Sequence, residues 1–191
     1  MIRLTYFILI MSIFTFSNCL MAQNFKSEQL SKSRVKVAYT HTKDSVQKRL
    51  SSLRINLSEV HIFLRAAKLE KELELWVKHK DSSEYSLYKT YDFCVLSGKL
   101  GPKRKQGDYQ VPEGFYHIDR FNPWSAFHLS LGINYPNTAD KRSNNRNLGG
   151  DIFIHGDCVS IGCIPITDEC IEELYVLAVE AKNNGQSKIP V

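Results

Sequence analysis

Several signatures of common enzyme and binding-protein classes are missing from this 191-residue sequence. It contains no phosphate-binding loop, no dinucleotide-binding glycine fingerprint and no serine-centred nucleophile elbow, so nothing in it indicates those three kinds of site. The paired Cys-x-x-Cys knuckles of common structural zinc sites are also absent. No internal repeat is evident, and after the N-terminal segment no stretch is apolar enough to cross a bilayer.

The composition is that of an ordinary globular protein with a small excess of positive charge. Hydrophobic residues make up 43% and charged residues 24% of the chain, and the formal net charge is +5. A chain of this length typically forms one domain with short additional segments. The charge fits a solvated basic surface or a preference for an anionic partner, and it is too small to indicate a nucleic-acid binder.

The N-terminus has the pattern of a secretory signal peptide. A short positive start precedes an uncharged apolar run at 4–16, and a candidate cleavage site lies before Gln23. We therefore predict a signal peptide over residues 1–22 and export of the remaining chain. Two alternatives stay open: lipid modification of Cys19, and an uncleaved membrane anchor, which would need about 20 continuous apolar residues.

Cleavage of the signal peptide would leave four cysteines in an oxidising compartment, namely Cys94, Cys158, Cys163 and Cys170. An even number of cysteines permits two disulfides. It equally permits one free catalytic thiol, with an odd cysteine left over.

Two segments precede the main domain. Residues 23–43 are polar and mixed in charge, which predicts a flexible lead-in. Within 44–57, apolar side chains share one face at helical spacing, namely Val46, Leu50, Leu53 and Leu57. We therefore predict a lead-in and a short helix over 23–57, followed by one domain over 58–191.

From residue 59 the apolar period changes to the alternation of half-buried strands. Two predicted strands bury one face each through Val60, Ile62 and Leu64 and through Leu73, Leu75 and Val77. Further strands are predicted within 85–98, 114–121, 127–136 and 150–156, with a long polar loop at 137–150. The domain is therefore expected to be mostly β.

The C-terminal region returns to helical spacing. Thr167 can cap a helix that ends near Asn183, because acidic residues follow the threonine and an Asn-Asn-Gly sequence follows the last apolar position. His155 then lies at the end of a strand, and Cys163 lies in a tight loop just before this helix. Such a position exposes side chains on a rigid frame.

The segment 154–163, IHGDCVSIGC, carries the chemistry that stands out in this sequence. A cysteine nucleophile needs a base to raise its thiolate fraction, and His155 can serve Cys163 in that way if the loop between them turns back. The N–H groups of Gly162 and Cys163 can receive the developing oxyanion, and one such donor is worth roughly 3 kcal/mol of barrier. Ser160 can bond to the loop or to substrate.

Three other interpretations of this segment remain open on spacing alone. Zinc could be bound by the set His155, Cys158, Cys163 and Cys170, whose spacing differs from that of common zinc sites. Cys158 could instead form a disulfide with Cys94, Cys163 or Cys170. The residues could also serve ordinary packing.

The segment HGDCVSIGC resembles the signature of the YkuD-type L,D-transpeptidase family, in which a His-Gly pair precedes Ser-x-Gly-Cys. The similarity to the YafK-like branch of this family is closer and runs from about residue 58 to the C-terminus. It is carried, in order, by LELWVK (73–78), SGKLGPK (97–103), GDYQVPEGFYHI (107–118), NPWSAFHLSLGINYPN (122–137) and IHGDCVSIGCIPITD (154–168).

The resemblance implies an L,D-transpeptidase-like α+β catalytic domain, a mostly β sandwich or mixed sheet with a few flanking helices. It implies action on peptidoglycan stem peptides in the bacterial periplasm or cell envelope, with no cofactor, metal or nucleic acid. By position, Cys163 would be the nucleophile and His155 the general base, and Gly162 with the Cys163 amide would form the oxyanion site. Ser160 would be the motif serine, and the Gly156 carbonyl would orient the imidazole.

In the family reaction, the cysteine attacks the carbonyl at the L-centre of diaminopimelate, D-alanine leaves, and a thioester remains. An amine of a second stem peptide or of an envelope protein can resolve that thioester. Water can resolve it instead, in which case the same residues would hydrolyse peptide cross-links or protein–peptidoglycan bonds. Both outcomes are compatible with the resemblance.

One departure from the family pattern concerns substrate binding. Most members carry an arginine two residues after the cysteine, where this chain has Pro165. An arginine there would pair with a carboxylate through two hydrogen bonds. The basic loop that contains Lys99, Lys103, Arg104 and Lys105 is a candidate replacement, and a solvated turn is the alternative.

Overall fold

The computed structural model describes residues 25–143 and 147–191. The predicted signal peptide at 1–22 lies outside these residues. Within them, no helix combines the length and the apolar character that a membrane crossing requires.

The described residues form two sheets and flanking helices. The helices are α1 (Ser33–Ser52), α2 (Thr138–Ser143) and α3 (Asp168–Asn183), with a 3-10 turn at Leu57–Glu59 and further helical residues at 25–30. The strands are β1 (Val60–Ala67), β2 (Glu72–His79), β3 (Ser86–Asp92), β4 (His117–Asn122), β5 (Ser130–Ile133), β6 (Phe153–His155), β7 (Ile164–Pro165) and β8 (Ile189–Pro190). The predicted α+β fold with flanking helices is confirmed.

The first sheet has the order β1-β2-β3 and is antiparallel throughout. Its first two strands match the prediction closely because their apolar residues alternate without interruption. The six predicted inward side chains, Val60, Ile62, Leu64, Leu73, Leu75 and Val77, are all fully buried. Strict alternation therefore identified both the strands and their buried face.

The second sheet has the order β7-β6-β5-β4-β8 and positions the candidate site. It is antiparallel except for β6 and β7, which run parallel and pair Ile154 with Ile164 and His155 with Pro165. Continued by one residue, this register sets Cys163 level with Phe153, two positions before His155. Because side chains two positions apart on a strand share a face, His155 and Cys163 lie on the same face of this strand pair.

Helix α3 forms the centre of the core. Residues 171–181 are buried without a break, and the helix contacts α1 as well as strands β1, β5, β6 and β8. Its N-cap is Thr167, as predicted, whose side chain accepts a hydrogen bond from the Cys170 N–H. The start of α3 lies directly after the segment that carries Cys163, so the buried helix anchors one end of the site.

The flexible lead-in predicted at 23–43 is wrong for most of its length. Helix α1 begins at Ser33 instead of near residue 44 and buries a continuous stripe, namely Val35, Ala38, Tyr39, Thr42, Val46 and Leu50. The stripe includes a threonine and a tyrosine whose hydroxyls are satisfied locally or by α3, which hides its apolar character in the sequence. The N-terminal segment is therefore part of the folded domain.

Strands of the second sheet are shorter than predicted, and the polar loop at 137–150 contains α2. The alternating segment at 127–136 forms only Ser130–Ile133 as a strand, and all four of those residues are buried. A strand buried on both faces loses the alternation by which its ends could be recognised. The residues next to it form the loops that surround the site.

Candidate active site

His155 ends β6 and is almost completely buried, with 1% of its surface exposed. Its Nδ1 atom lies 2.5 Å from the Gly156 carbonyl oxygen. Because a carbonyl oxygen only accepts hydrogen bonds, Nδ1 carries the proton and Nε2 is the unprotonated nitrogen of the neutral ring. Burial lowers the pKa of His155 despite that hydrogen bond, so the ring is neutral and can act as a base near neutral pH.

Cys163 lies immediately before β7, and its side chain lines the same cavity as His155. This cavity has a volume of about 200 Å³ and is lined by Phe127, His155, Val159, Ser160, Ile161 and Cys163. We call it the histidine cavity. The pair predicted from the sequence thus lines one cavity, as a nucleophile and its base require.

The thiol and the imidazole that line the histidine cavity are both neutral at rest, and the thiol donates to the Asp151 carbonyl at 3.8 Å. Burial raises the pKa of the Cys163 thiol, while the backbone N–H of Phe153 and the charge of Lys103 act in the opposite direction. Burial of His155 disfavours the imidazolium for the same reason. A thiolate would therefore form together with attack on a substrate and would not be stored beforehand.

The ring of Phe127 stacks on the His155 imidazole. The two ring centroids lie 4.6 Å apart, and the ring planes are inclined by 28°. The stack covers one face of the imidazole and fixes its plane within the histidine cavity. Sequence analysis did not identify Phe127, although it lies in a segment that carries the family resemblance.

The loop between β6 and β7 depends on two glycines. A side chain on Gly156 would collide with the Asp168 carboxylate, which accepts a hydrogen bond from the Asp157 N–H. Gly162 has a φ of +133°, and a Cβ there would lie 3.0 Å from the Gln110 carbonyl oxygen. A side chain is therefore excluded by lack of space at Gly156, and it is disfavoured at Gly162 by backbone conformation and close packing.

The Ser160 hydroxyl holds this loop together from inside. It donates a hydrogen bond to the Cys163 carbonyl at 2.8 Å and accepts one from the Gly162 N–H at 3.1 Å. The Gly162 N–H, expected to face an oxyanion, is thus engaged within the loop. The Cys163 N–H has no acceptor among the residues that the structure describes, which leaves it available to a developing oxyanion.

A second cavity meets Cys163 from another side. It has a volume of about 280 Å³ and is lined by Lys103, Gln106, Gly107, Tyr109, Gly149, Gly150, Asp151, Ile152, Ile161 and Cys163. We call it the lysine cavity. Ile161 lines both cavities and is 74% exposed, so it forms the rim between them.

Of the basic residues predicted to contact substrate, Lys103 reaches the site. Its ammonium group is buried and donates to the Asp108 carboxylate at 2.7 Å and to the Lys105 carbonyl at 3.1 Å. Two of its three N–H donors are therefore occupied. Arg104 is exposed, lines neither cavity, and contributes its backbone N–H to Asp108.

The Asp108 carboxylate organises the basic loop. It accepts the Lys103 ammonium and the backbone N–H groups of Arg104, Lys105 and Gln110, and these hydrogen bonds hold its pKa well below the usual range although burial acts in the opposite direction. The loop is thus held in a defined conformation around Asp108, while most of its residues are exposed to solvent. The loop supplies part of the wall of the lysine cavity, which Cys163 also lines.

A disulfide joins Cys94 to Cys158, with the two Cα atoms 5.1 Å apart. It ties the loop between His155 and Cys163 to the residues that follow β3. Cys163 and Cys170 are free thiols. Pairing of Cys158 with Cys163 is therefore wrong, and the zinc set considered above loses Cys158.

A buried proline occupies the position at which most family members carry the arginine. Pro165 is buried in β7, and its carbonyl accepts a hydrogen bond from the Cys94 N–H at 3.0 Å. The side chain at this position thus packs inside the sheet. A charge for substrate binding has to come from elsewhere, and the lysine cavity holds one buried cation, Lys103.

Comparison with known proteins identifies the family of this domain. The sequence model of the L,D-transpeptidase catalytic domain, YkuD, matches residues 68–184. The chain belongs to the YkuD L,D-transpeptidase family. YafK of Escherichia coli (strain K12), an L,D-transpeptidase by assignment, is 37% identical over 132 residues, which cover 68% of this chain and 52% of YafK. The YafK-like resemblance is confirmed.

Solved structures show the same fold. The helical cell shape determining protein Pgp2 from Campylobacter jejuni superposes with a TM-score of 0.54 at 23% identity, covering 70% of this chain and 47% of Pgp2. A K307A mutant of Pgp2 gives the same TM-score. This YkuD-family chain spans about half the length of the curated relatives that it matches.

Proposed function

We propose that this protein is an exported cysteine acyl-transfer enzyme that acts on peptidoglycan stem peptides. The observation that supports the proposal is the histidine cavity of this YkuD-family domain, which both Cys163 and the oriented His155 line. The family acts on peptidoglycan, which supports the substrate class.

The first half-reaction forms a thioester. His155 Nε2 takes the thiol proton while the Cys163 sulfur attacks the carbonyl carbon at the L-centre of diaminopimelate. The Cys163 N–H donates to the oxyanion of the tetrahedral intermediate. The carbon–nitrogen bond then breaks, and the imidazolium returns its proton to the departing D-alanine amine.

The second half-reaction regenerates the enzyme. An acceptor amine gives a proton to His155 and attacks the thioester carbonyl, and the Cys163 sulfur leaves and regains its proton from the imidazolium. Because His155 serves leaving and attacking amines alike, both should occupy the histidine cavity. The acyl portion would then extend into the lysine cavity, where the third donor of Lys103 can meet a carboxylate.

Hydrolysis is a second candidate outcome for the same thioester. Ile161 and Val159 on the rim of the histidine cavity are 74% and 46% exposed, so water reaches the reacting sulfur unless a bound substrate covers it. A protein–peptidoglycan bond or a peptide cross-link would be the substrate in that case. An envelope protein amine is the corresponding acceptor for transfer.

Export to the periplasm or cell envelope forms part of the proposal. It is supported by the signal-peptide pattern at 1–22 and by the Cys94–Cys158 disulfide, because such bonds persist in oxidising compartments. N-terminal sequencing of the protein recovered from a periplasmic fraction tests both points, with a mature chain that begins at Gln23 as the expected result.

Product masses from purified muropeptides test the reaction. Protein incubated with tetrapeptide muropeptides should release D-alanine, and an added amine should appear in the product in proportion to its concentration. Products that gain only water would assign the enzyme to hydrolysis. The Cys163→Ala variant should give no product with its fold intact, and full turnover by that variant would contradict the proposal.

A further inference from the structure

The loop that carries Phe127 contacts a helix outside the family match. Residues 123–129, here called the Phe127 loop, join β4 to β5 and place the Phe127 ring on the His155 imidazole. Helix α1 precedes the matched residues 68–184, yet its N-terminal half lies against this loop. Residues outside the matched region therefore contact the loop that carries this ring.

Arg34 makes the most direct contact between α1 and the Phe127 loop. Its Nη1 atom donates to the Ser125 carbonyl at 2.5 Å and to the His128 carbonyl at 2.7 Å. These carbonyls lie on either side of Phe127, and the Ser125 hydroxyl accepts the Phe127 N–H at 3.1 Å. One guanidinium nitrogen thus holds both ends of the segment that contains the ring.

A second connection runs through a buried carboxylate on α3. Glu172 lies 2.9 Å from His41 Nδ1 on α1 and 2.8 Å from His128 Nε2, the residue after Phe127. Only 8% of the Glu172 side chain is exposed. Burial of a carboxylate is tolerated when donors surround it, so these contacts fix the loop relative to both helices.

The backbone of the Phe127 loop also shows that it is held from outside. His128 has a φ of +65°, a left-handed conformation that costs free energy in a residue other than glycine. The ammonium group of Lys32 lies 5.7 Å from the centroid of the Trp124 ring in the same loop. Such a conformation persists only where surrounding contacts determine it, and α1 supplies several of them.

We propose that Arg34 is a positioning residue for the reaction, because it anchors the Phe127 loop to α1 and thereby keeps the Phe127 ring stacked on His155. This inference rests on the proposed role of His155 as the base. The stacked ring excludes water from one face of the imidazole and fixes the ring plane that His155 needs for proton transfer. Displacement of a positioning contact by about 1 Å can cost up to ~100-fold in rate.

Single and double variants test this role. Arg34→Ala and Phe127→Leu should each lower kcat by about tenfold, with KM little changed. The double variant should be no slower than Phe127→Leu alone, because the arginine acts only through the ring. Arg34→Lys should recover most of the activity, since an ammonium group can bridge the two carbonyls. Lys36→Ala, which removes one exposed charge from α1, is the matched control and should retain wild-type kcat.

A measurement that does not require turnover separates this inference from the proposed function. The pH titration of the His155 ring, followed by NMR and assigned with His155→Gln, should shift upward in Arg34→Ala because water regains access to the imidazole. Thermal unfolding verifies that each variant is folded. An unchanged titration in folded Arg34→Ala, or multiplicative rate losses in the double variant, would overturn the inference. If the wild type transfers no acyl group at all, the proposed function fails while the titration still tests the anchor.

Discussion

The histidine cavity and the lysine cavity meet at one sulfur atom and differ in character. The first is lined mainly by apolar side chains and holds a neutral imidazole, whereas the second holds a buried ammonium group among glycines and polar side chains. An apolar cavity suits proton transfer, because burial keeps the imidazole neutral until the thiol proton reaches it. The remaining donor of the Lys103 ammonium, which also pairs with Asp108, suits a hydrogen bond to a carboxylate of the acyl group. The proposed enzyme therefore separates proton transfer from recognition of substrate charge.

Loss of the base should have the largest effect on the contrast between the two cavities. His155→Gln should lower kcat by about 10³-fold, because general-base catalysis contributes on that order. Wild-type activity should fall only at a pH below the ordinary histidine range, since burial lowers the pKa of His155 and the imidazolium formed below that pKa cannot accept a proton. The pH dependence of kcat measures both effects. His117→Gln in β4 serves as the control, and an acid limb that persists in His155→Gln would assign it to another group.

Loss of the cation in the lysine cavity should affect binding more than chemistry. Lys103→Met should raise KM by about tenfold and leave kcat nearly unchanged, because the charge pairs with substrate in the ground state and the transition state alike. Asp108 keeps its three backbone N–H donors in this variant, so the loop should survive. Steady-state kinetics measure kcat and KM of this variant, and Lys99→Met, at an exposed lysine of the same loop, is the control. A fall in kcat at constant KM would show that Lys103 acts on the thiolate instead.

Removal of the disulfide should make the walls of both cavities less rigid, with a smaller effect on activity than the loss of His155 or Lys103. The bond ties the loop that supplies walls to each cavity, and Cys94→Ser/Cys158→Ser should cost roughly 2–4 kcal/mol of folding free energy. The rate should fall by about threefold, because the loop retains its Ser160 hydrogen bonds. Denaturant unfolding and turnover measure the two effects, with Cys170→Ser as the free-thiol control. A peptide map that pairs Cys158 with Cys163 would contradict the assignment.

Substitution of Ile161, on the rim between the cavities, should change the access of water to the thioester and should have the smallest effect of the four changes. Ile161→Ser should raise the ratio of hydrolysis to amine transfer by about twofold, because a polar rim admits water to the thioester. Total thioester formation should stay close to wild type. Product masses at fixed amine concentration measure the ratio. An unchanged ratio would mean that bound substrate, and not Ile161, excludes water.

The local part of the site could be read from the sequence because its residues are close along the chain. His155, Gly156, Ser160, Gly162 and Cys163 all lie within ten positions, and the apolar alternation on either side fixes the strands that hold them. Their residue types and spacing were compatible with a nucleophile, a base and a tight turn, and the family resemblance favoured that interpretation over zinc binding, a disulfide or packing. The available oxyanion donor could not be recognised, because the Ser160–Gly162 hydrogen bond depends on the folded loop.

The distant part of the site could not be read from the sequence for a physical reason. Phe127 reaches His155 through the pairing of β5 with β6, and Cys94 reaches Cys158 across 64 positions. Four cysteines allow three pairings, and spacing does not choose among them. Helix α1 was underestimated because its buried stripe includes Tyr39 and Thr42, polar residues whose burial is stabilised only by their hydrogen bonds in the folded structure.

The mass of the intact protein after a brief reaction with a tetrapeptide stem and an acid quench tests the central claim most directly. The account predicts an adduct equal to the tripeptide acyl group, located on Cys163 by peptide mapping and removed by hydroxylamine as a thioester is. The Cys163→Ala variant should carry no adduct. An acyl group on another residue, or turnover by Cys163→Ala, would contradict the account.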